Sequence, residues 1–300
     1  MTEFARVRHA LAELGFTPAA AVPEASEGRS EEAGIHPAVL TEDDRLEWHA
    51  PGAPESWPGA VAFLDGVQHL ELLGYVGASP LFAGRLAAAV RERGDRRLRT
   101  ATVERRRVAI GRPAALQAAA AALAELEPLP IPDDEPPHPV RDAHAAGRAL
   151  DRARGQLEVA VGGRWRSRAD GWLVVDGSLA ESPAWSADRR MVGVVKSHAS
   201  LPFDGPDLER YLRLPAGQRT SVFVPASRSV APVRAWALRL WPWEGRDLLY
   251  GLVRIEVAPP NGEPYSADRI SRWLLAERAP ISAPDRRWDR LLYGIHDVEA

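Results

Sequence analysis

The sequence predicts an α/β fold in which a mixed sheet is flanked by helices. Three observations predict it. Ala60-Val-Ala-Phe-Leu64 and Trp172-Leu-Val-Val175 are apolar runs of strand length, ending in Asp65-Gly66 and Asp176-Gly177. Residues 141–161 place Leu150, Ala153, Leu157 and Val161 on one helical face. Strand-like and helix-like patterns are interleaved along the rest of the chain.

Taken in order, residues 3–15 read as a short amphipathic helix, with Phe4, Val7, Leu11 and Leu14 at helical spacing. Residues 17–58, rich in Pro, Ala, Glu and Gly, read as an extended segment. This sets 1–58 apart from a single domain over 59–300. The first apolar run reads as a buried strand, joined by a tight connection around Gly66 to a second strand over Leu70 to Val76. Residues 80–93 read as a helix carrying Leu81, Leu86 and Val90, residues 100–110 as a strand, and 113–126 as an Ala-rich helix. The Pro-rich stretch at 127–140 reads as an exposed loop without regular structure. It is not taken as a domain boundary, because the part before it lacks strands enough for its own sheet. The helix over 141–161 is expected to end at Gly162-Gly163. Met191 to Val195 reads as the antiparallel neighbour of the Trp172 strand. Asp207 to Leu214 reads as a short helix, residues 220–225, 233–241 and 248–257 as strands, and 266–278 and 285–298 as helices.

Composition narrows the function. The 300 residues are 45% hydrophobic and 26% charged, which is ordinary for a globular protein, and no apolar run approaches a membrane span. The N-terminus lacks the shape of a signal peptide. With no cysteine, disulfides, thiolate catalysis and Cys-type zinc sites are excluded. These features imply the cytoplasm. A net charge of −3 leaves room for nucleic-acid binding only through a local stripe of Arg. Lys196 is the single Lys among 38 basic residues.

The chemistry rests on carboxylates. An Asp at the end of a buried strand lies at the rim of the core, where a cation can reach it, and the following Gly lets the backbone turn beside a ligand. Two hairpin turns are the competing reading. Glu158 lies on the helix before the Asp176 strand, one position off its apolar stripe. It is either a third ligand or a solvated partner of Arg154. Three such oxygen donors suit Mg2+ or Mn2+, and such sites hydrolyse phosphodiesters.

These residues also carry a resemblance. Leu157-Glu158, Trp172-Leu-Val-Val-Asp176-Gly-Ser-Leu179 and Val192-Gly-Val-Val-Lys196 resemble the core motifs of the NurA nuclease family. Ala62-Phe-Leu-Asp65-Gly66 resembles its first Asp-Gly motif, and Trp288-Asp-Arg-Leu-Leu-Tyr293-Gly-Ile-His296 its closing segment. The motif order matches from about residue 58 to 300. The resemblance implies an RNase H-like fold and a Mn2+-dependent nuclease, with Mg2+ as second choice, acting on DNA as a single-strand endonuclease and 5′→3′ exonuclease. It implies a homodimer working beside a HerA-type hexameric ATPase in DNA end processing. Asp65, Glu158 and Asp176 would be metal ligands, and His296 a further ligand or a contact to the scissile phosphate. The sequence departs from the family at Val67, where Ser is usual, and at Gly294, where Pro is common. Asp297 competes with His296 for its place.

Lys196 follows the strand neighbouring Asp176 and reads either as a phosphate or water contact, or as a surface residue. Arg164, Trp165, Arg166, Arg168, Arg189 and Arg190 are candidate DNA contacts, with Arg105, Arg106 and Arg107 as a second cluster. No P-loop, His-Glu-x-x-His or Gly-x-Ser-x-Gly motif exists. The alternatives are another RNase H-like nuclease of a defence system, and an inactive NurA-like subunit that only binds its translocase. Convergence of the three carboxylates marks the active reading. Scattering them, or capping them with Arg, marks the inactive one.

Overall fold

The computed structural model describes residues 34–94, 97–226, 231–278 and Ile295. Three two-residue strands come first: β1 (Gly34–Ile35), β2 (Val39–Leu40) and β3 (Trp48–His49). The rest of 34–58 is irregular, as its composition implies. The expected helices at 3–15 and 285–298 lie outside the described residues, Ile295 apart.

Three long strands follow and pair antiparallel: β4 (Val61–Val76), β5 (Ser79–Gly94) and β6 (Arg97–Gly111). Two expectations fail here. No turn forms at Gly66, since β4 runs straight through it and reverses at Gly77, whose φ of +61° suits the two-residue turn. The segment 80–93 is a strand and not a helix. Phe82, Gly84, Leu86, Ala88 and Val90 are buried at every second position, a period that only a strand presents. Pairing on both sides overrides the helical preference of its alanines.

The helix expected at 113–126 is only α1 (Pro113–Ala118), and the chain after it winds in turns. The Pro-rich stretch contains regular structure after all. β7 (Glu127–Pro130) pairs with β6 at the edge of the sheet, where Pro128 and Pro130 are tolerated. Pro139 opens α2 (Pro139–Arg166), with a fixed φ that suits the first helical position. This helix passes through Gly162-Gly163. A methyl at Gly162 would meet Leu64 Cδ1 at 2.8 Å, so Gly162 lets helix and sheet approach closely.

β8 (Trp172–Asp176) pairs with β4, and β9 (Met191–Val195) with β8. Both pairings are parallel, which corrects the antiparallel expectation for Met191–Val195. The chain between them crosses over through a short 3-10 turn and α3 (Pro183–Ala187), which returns it to the starting edge. β10 (Ser200–Leu201) pairs with β1, and α4 (Gly205–Leu212) follows. The strand expected at 220–225 is split into β11 (Arg219–Thr220) and β12 (Phe223–Val224). β13 (Arg234–Arg239), β14 (Leu252–Val257) and α5 (Pro264–Glu277) complete the described chain.

The result is a mixed twelve-stranded sheet, ordered β2-β12-β13-β14-β9-β8-β4-β5-β6-β7, with β11 and β3 at its side. Three antiparallel strands, a long helix, then two strands parallel to the first give the RNase H-like arrangement expected. The stripe of α2 covers one face, burying Leu150, Leu157 and Val161 against Leu64, Leu86 and Val175. α5 covers the other, over Phe63, Val174 and Val194. Trp57, Trp172 and Trp273 stack with ring centroids 5.0 to 5.7 Å apart, pinning the segment before β4 to β8 and α5. No helix among the described residues is long and apolar enough to cross a membrane.

Candidate active site

The register of the two parallel strands builds the site. Leu64 lies opposite Val175, and the next residues are Asp65 and Asp176. Pairing between β4 and β8 ends there, while β4 continues beside β5. The two Asp therefore stand where the sheet forks. Asp65 is 6% exposed and accepts the Gly66 N–H at 2.7 Å. Burial pushes its carboxyl well above the usual range, and the negative charges of Asp176 and Glu158 push the same way. Lys196 and the Gly66 N–H oppose them.

Glu158 comes from α2 and is 5% exposed, so it is not on a solvated face. It lies against Gly66, where a methyl group would overlap its carboxylate. This close approach explains a glycine in the middle of a strand. Arg154, one helical turn earlier, forms an ion pair with Glu158. Lys196 Nζ lies 2.6 Å from Asp176 Oδ2. The structure thus brings Asp65, Glu158, Asp176 and Lys196 together. It does so around two internal cations, and the three carboxylates are not gathered within the 4.8 Å that a shared ion would need. His296, Asp297 and all of the closing motif but Ile295 lie outside the described residues. Ile295 itself is buried in the cluster of Phe63, Val174 and Val194.

Among the described residues, the group that does meet that distance is Glu42, Asp43 and His49, which the sequence did not single out. Its oxygens are already engaged. Arg219 donates to both Glu42 oxygens at 2.7 and 2.9 Å, and Ser221 and His49 reach Asp43 at 2.6 and 2.8 Å. Burial raises the Asp43 carboxyl, but the Ser221 and His49 hydrogen bonds outweigh it and hold the carboxyl below its ordinary value. This cluster joins the segment before β4 to the β11 strand and is structural.

Sequence reasoning also missed Glu256, Arg254 and the inward turn of Arg154. Glu256 is buried on β14 and accepts the Ser178 hydroxyl at 2.6 Å and the Leu179 N–H at 3.0 Å. Arg254 holds its other oxygen at 3.0 Å. Glu256 therefore fixes the loop that leaves Asp176 and engages Ser178. The signal was two charges two residues apart in an otherwise apolar strand. Among the basic candidates, Arg164 pairs with Glu104, Arg166 is bound to Asp188 at 2.7 Å, and Trp165 is buried.

No protein-family model matches the sequence, and no curated protein does. Among solved structures, the chain is similar to the NurA nuclease from Sulfolobus solfataricus, with a TM-score of 0.52 and 9% identity over 84% of this chain and 80% of that one. A weaker likeness, with a TM-score of 0.33 and 16% identity over 80% of each chain, is to the catalytic domain of human Endonuclease V. At 9% identity, what this chain shares with the Sulfolobus nuclease is its fold.

Proposed function

We propose that the chain is a divalent-metal-dependent deoxyribonuclease of the NurA type. The observation that carries this reading is the meeting of Asp65 and Asp176 at the fork of β4 and β8, with Glu158 reaching them across Gly66. Burial and the charges of Asp176 and Glu158 raise the proton affinity of Asp65, and a hard cation would offset that charge. The donors fit Mn2+ or Mg2+. Such an ion, when bound, activates water and stabilises charge on the phosphate oxygens.

The chain's own residues do the rest. Asp65, Glu158 and Asp176 would hold the ion. Arg154 and Lys196 neutralise Glu158 and Asp176. With Asp176 given over to an ion, the Lys196 ammonium would be available to the phosphate or the attacking water. His296 completes the set. The burial of Ile295 beside Phe63, Val174 and Val194 supports this, because Asp65, Asp176 and Lys196 share that sheet face by alternation. Single-stranded DNA as substrate, endonucleolytic and 5′→3′ exonucleolytic cleavage, a homodimer and a HerA-type partner are proposed on the resemblance of the motifs, and a cytoplasmic place on the composition.

One observation favours a second reading. Capping of Glu158 by Arg154 is what an inactive, translocase-binding subunit would show. Labelled single-stranded DNA with Mn2+ decides between them. The wild type should cleave it, EDTA should abolish cleavage, and Ca2+ should not restore it. Asp176→Ala should reduce the rate by at least about 100-fold. Cleavage that survives Asp176→Ala ends the assignment. A wild type that never cleaves yet co-purifies with a HerA-type ATPase establishes the second reading.

A further inference from the structure

The register of the long strands separates the Arg105-Arg106-Arg107 cluster. Arg106 turns toward the α2 side and pairs with Glu127, while Arg105 and Arg107 emerge on the opposite face. That face, from Asp65 outward, carries no described helix until the α1 segment, which packs on Leu81 and Ala109 at its far end. The exposed rows can be read off the pairing. On β4 they are Val67 and His69, on β5 Arg85, Ala87 and Ala89, and on β6 Val103, Arg105 and Arg107. Ala89 lies directly between Asp65 and Val103.

We infer that this open face is a track that leads one strand of nucleic acid to Asp65. The inference rests on the nuclease reading for its direction but not for its geometry. At Ala87 and Ala89 the central strand presents small side chains between taller rows on β4 and β6, and Arg85 rises from it farther along. Two interstrand spacings set these rows about 9.5 Å apart. A single strand fits that width. A duplex, whose major groove alone is about 12 Å across, does not. The track runs about 20 Å from Asp65 to Glu71, six strand residues away.

The charge suits a phosphate backbone. Arg85 and Arg107 are mostly exposed and have loose partners, Glu71 and Glu125, each at 3.7 Å. Exposed pairs of this kind contribute little and are readily exchanged for phosphate. Arg105 is exposed between them and Val103. Val67 and Val103, each more than 40% exposed, flank Ala87 and Ala89 as an apolar floor for bases. The rows named above hold no Asn or Gln with which to read adenine, and their three Arg are assigned to phosphates. Recognition is therefore independent of sequence and strongly dependent on salt.

Binding without cleavage tests the track. The full chain in EDTA is titrated into a fluorescent oligothymidylate of about 15 nucleotides, within the span of known single-strand platforms. The triple variant Arg85→Gln, Arg105→Gln, Arg107→Gln should weaken binding about tenfold and flatten the log–log salt slope by about 2, or about 0.7 per lost phosphate contact. Ala87→Glu, which removes no Arg, should also weaken binding. Arg164→Gln, on the opposite face, should not. Wild-type affinity and slope in the triple variant overturn the track, as does equal loss in Arg164→Gln. A duplex that binds as tightly, with the same slope, overturns the single-strand assignment. A protein that binds through these residues but never cleaves leaves the track standing and fells the nuclease reading, whereas cleavage without dependence on them does the reverse.

Discussion

Asp65 illustrates how much a residue can cost its own protein. Its carboxylate is buried, feels the negative charges of Asp176 and Glu158, and among the described residues has Lys196 as an opposing side chain. Replacing it with Asn removes that repulsion and keeps the shape. Asp65→Asn should therefore raise stability by about 1 kcal/mol in EDTA, a gain typical of relieving a functional site. On the proposed metal-binding reading, Mn2+ should stabilise the wild type and not this variant. Melting in both conditions checks the pair of outcomes. An unchanged or lower melting temperature in EDTA would show that Asp65 is not under electrostatic load. Asp176 and Lys196 were legible in the sequence because the end of a strand is a local property, whereas Asp65, expected at a strand end, lies within β4, where only the pairing with β8 stops. The pairing of Glu158 with Arg154 was also legible, at four residues' spacing. Its burial was not, since that depends on a glycine on another element. Glu256 could not be connected to Ser178 before β14 was known to lie beside β9.

At the scale of elements, local patterns failed where pairing partners outvoted them. Leu-Ala-Ala-Ala-Val within 86–90 has helical preference, yet neighbours on both sides make it the middle strand of three. The α2 helix was legible because its stripe is carried within one segment. Its start depends on a distant residue. Asp142, in its first turn, accepts Arg112 at 2.7 and 2.9 Å, and Arg112 also donates to the Glu135 and Pro136 carbonyls. The Arg112 hydrogen bonds hold the Asp142 carboxyl below its ordinary value, against the opposing effect of burial. A carboxyl depressed in the folded state contributes stability that is present above its unfolded value, about 3.9. That stability is lost as pH falls through the folded value. Asp142→Asn should thus melt lower than the wild type at pH 7, and the gap should narrow below about pH 4. A gap that stays constant down to about pH 2 would mean that the pair does not anchor the helix.

For the whole molecule, the decisive contact is between β4 and β8, which are separated by more than a third of the chain. β4, β5 and β6 are consecutive, and α2 follows within about 30 residues and packs on them, so they can form early. The β4–β8 pairing closes a long loop and is slower. The carboxylates should therefore meet after most secondary structure exists. The structure contains its own means of seeing this. Lys196 is the one lysine of the chain, and its amine is held against Asp176. An amine-acylating reagent can consequently modify the chain at only two places, this side chain and the N-terminal amino group, which peptide mass mapping separates. During refolding, protection of Lys196 from a labelling pulse should lag behind the far-ultraviolet circular dichroism signal, and simultaneous recovery would refute the late meeting. In the folded protein, the same reaction becomes a gauge of the site. On the proposed metal-binding reading, an ion that took Asp176 would release the amine, so the acylation rate at Lys196 should rise with added Mn2+, without substrate and without turnover.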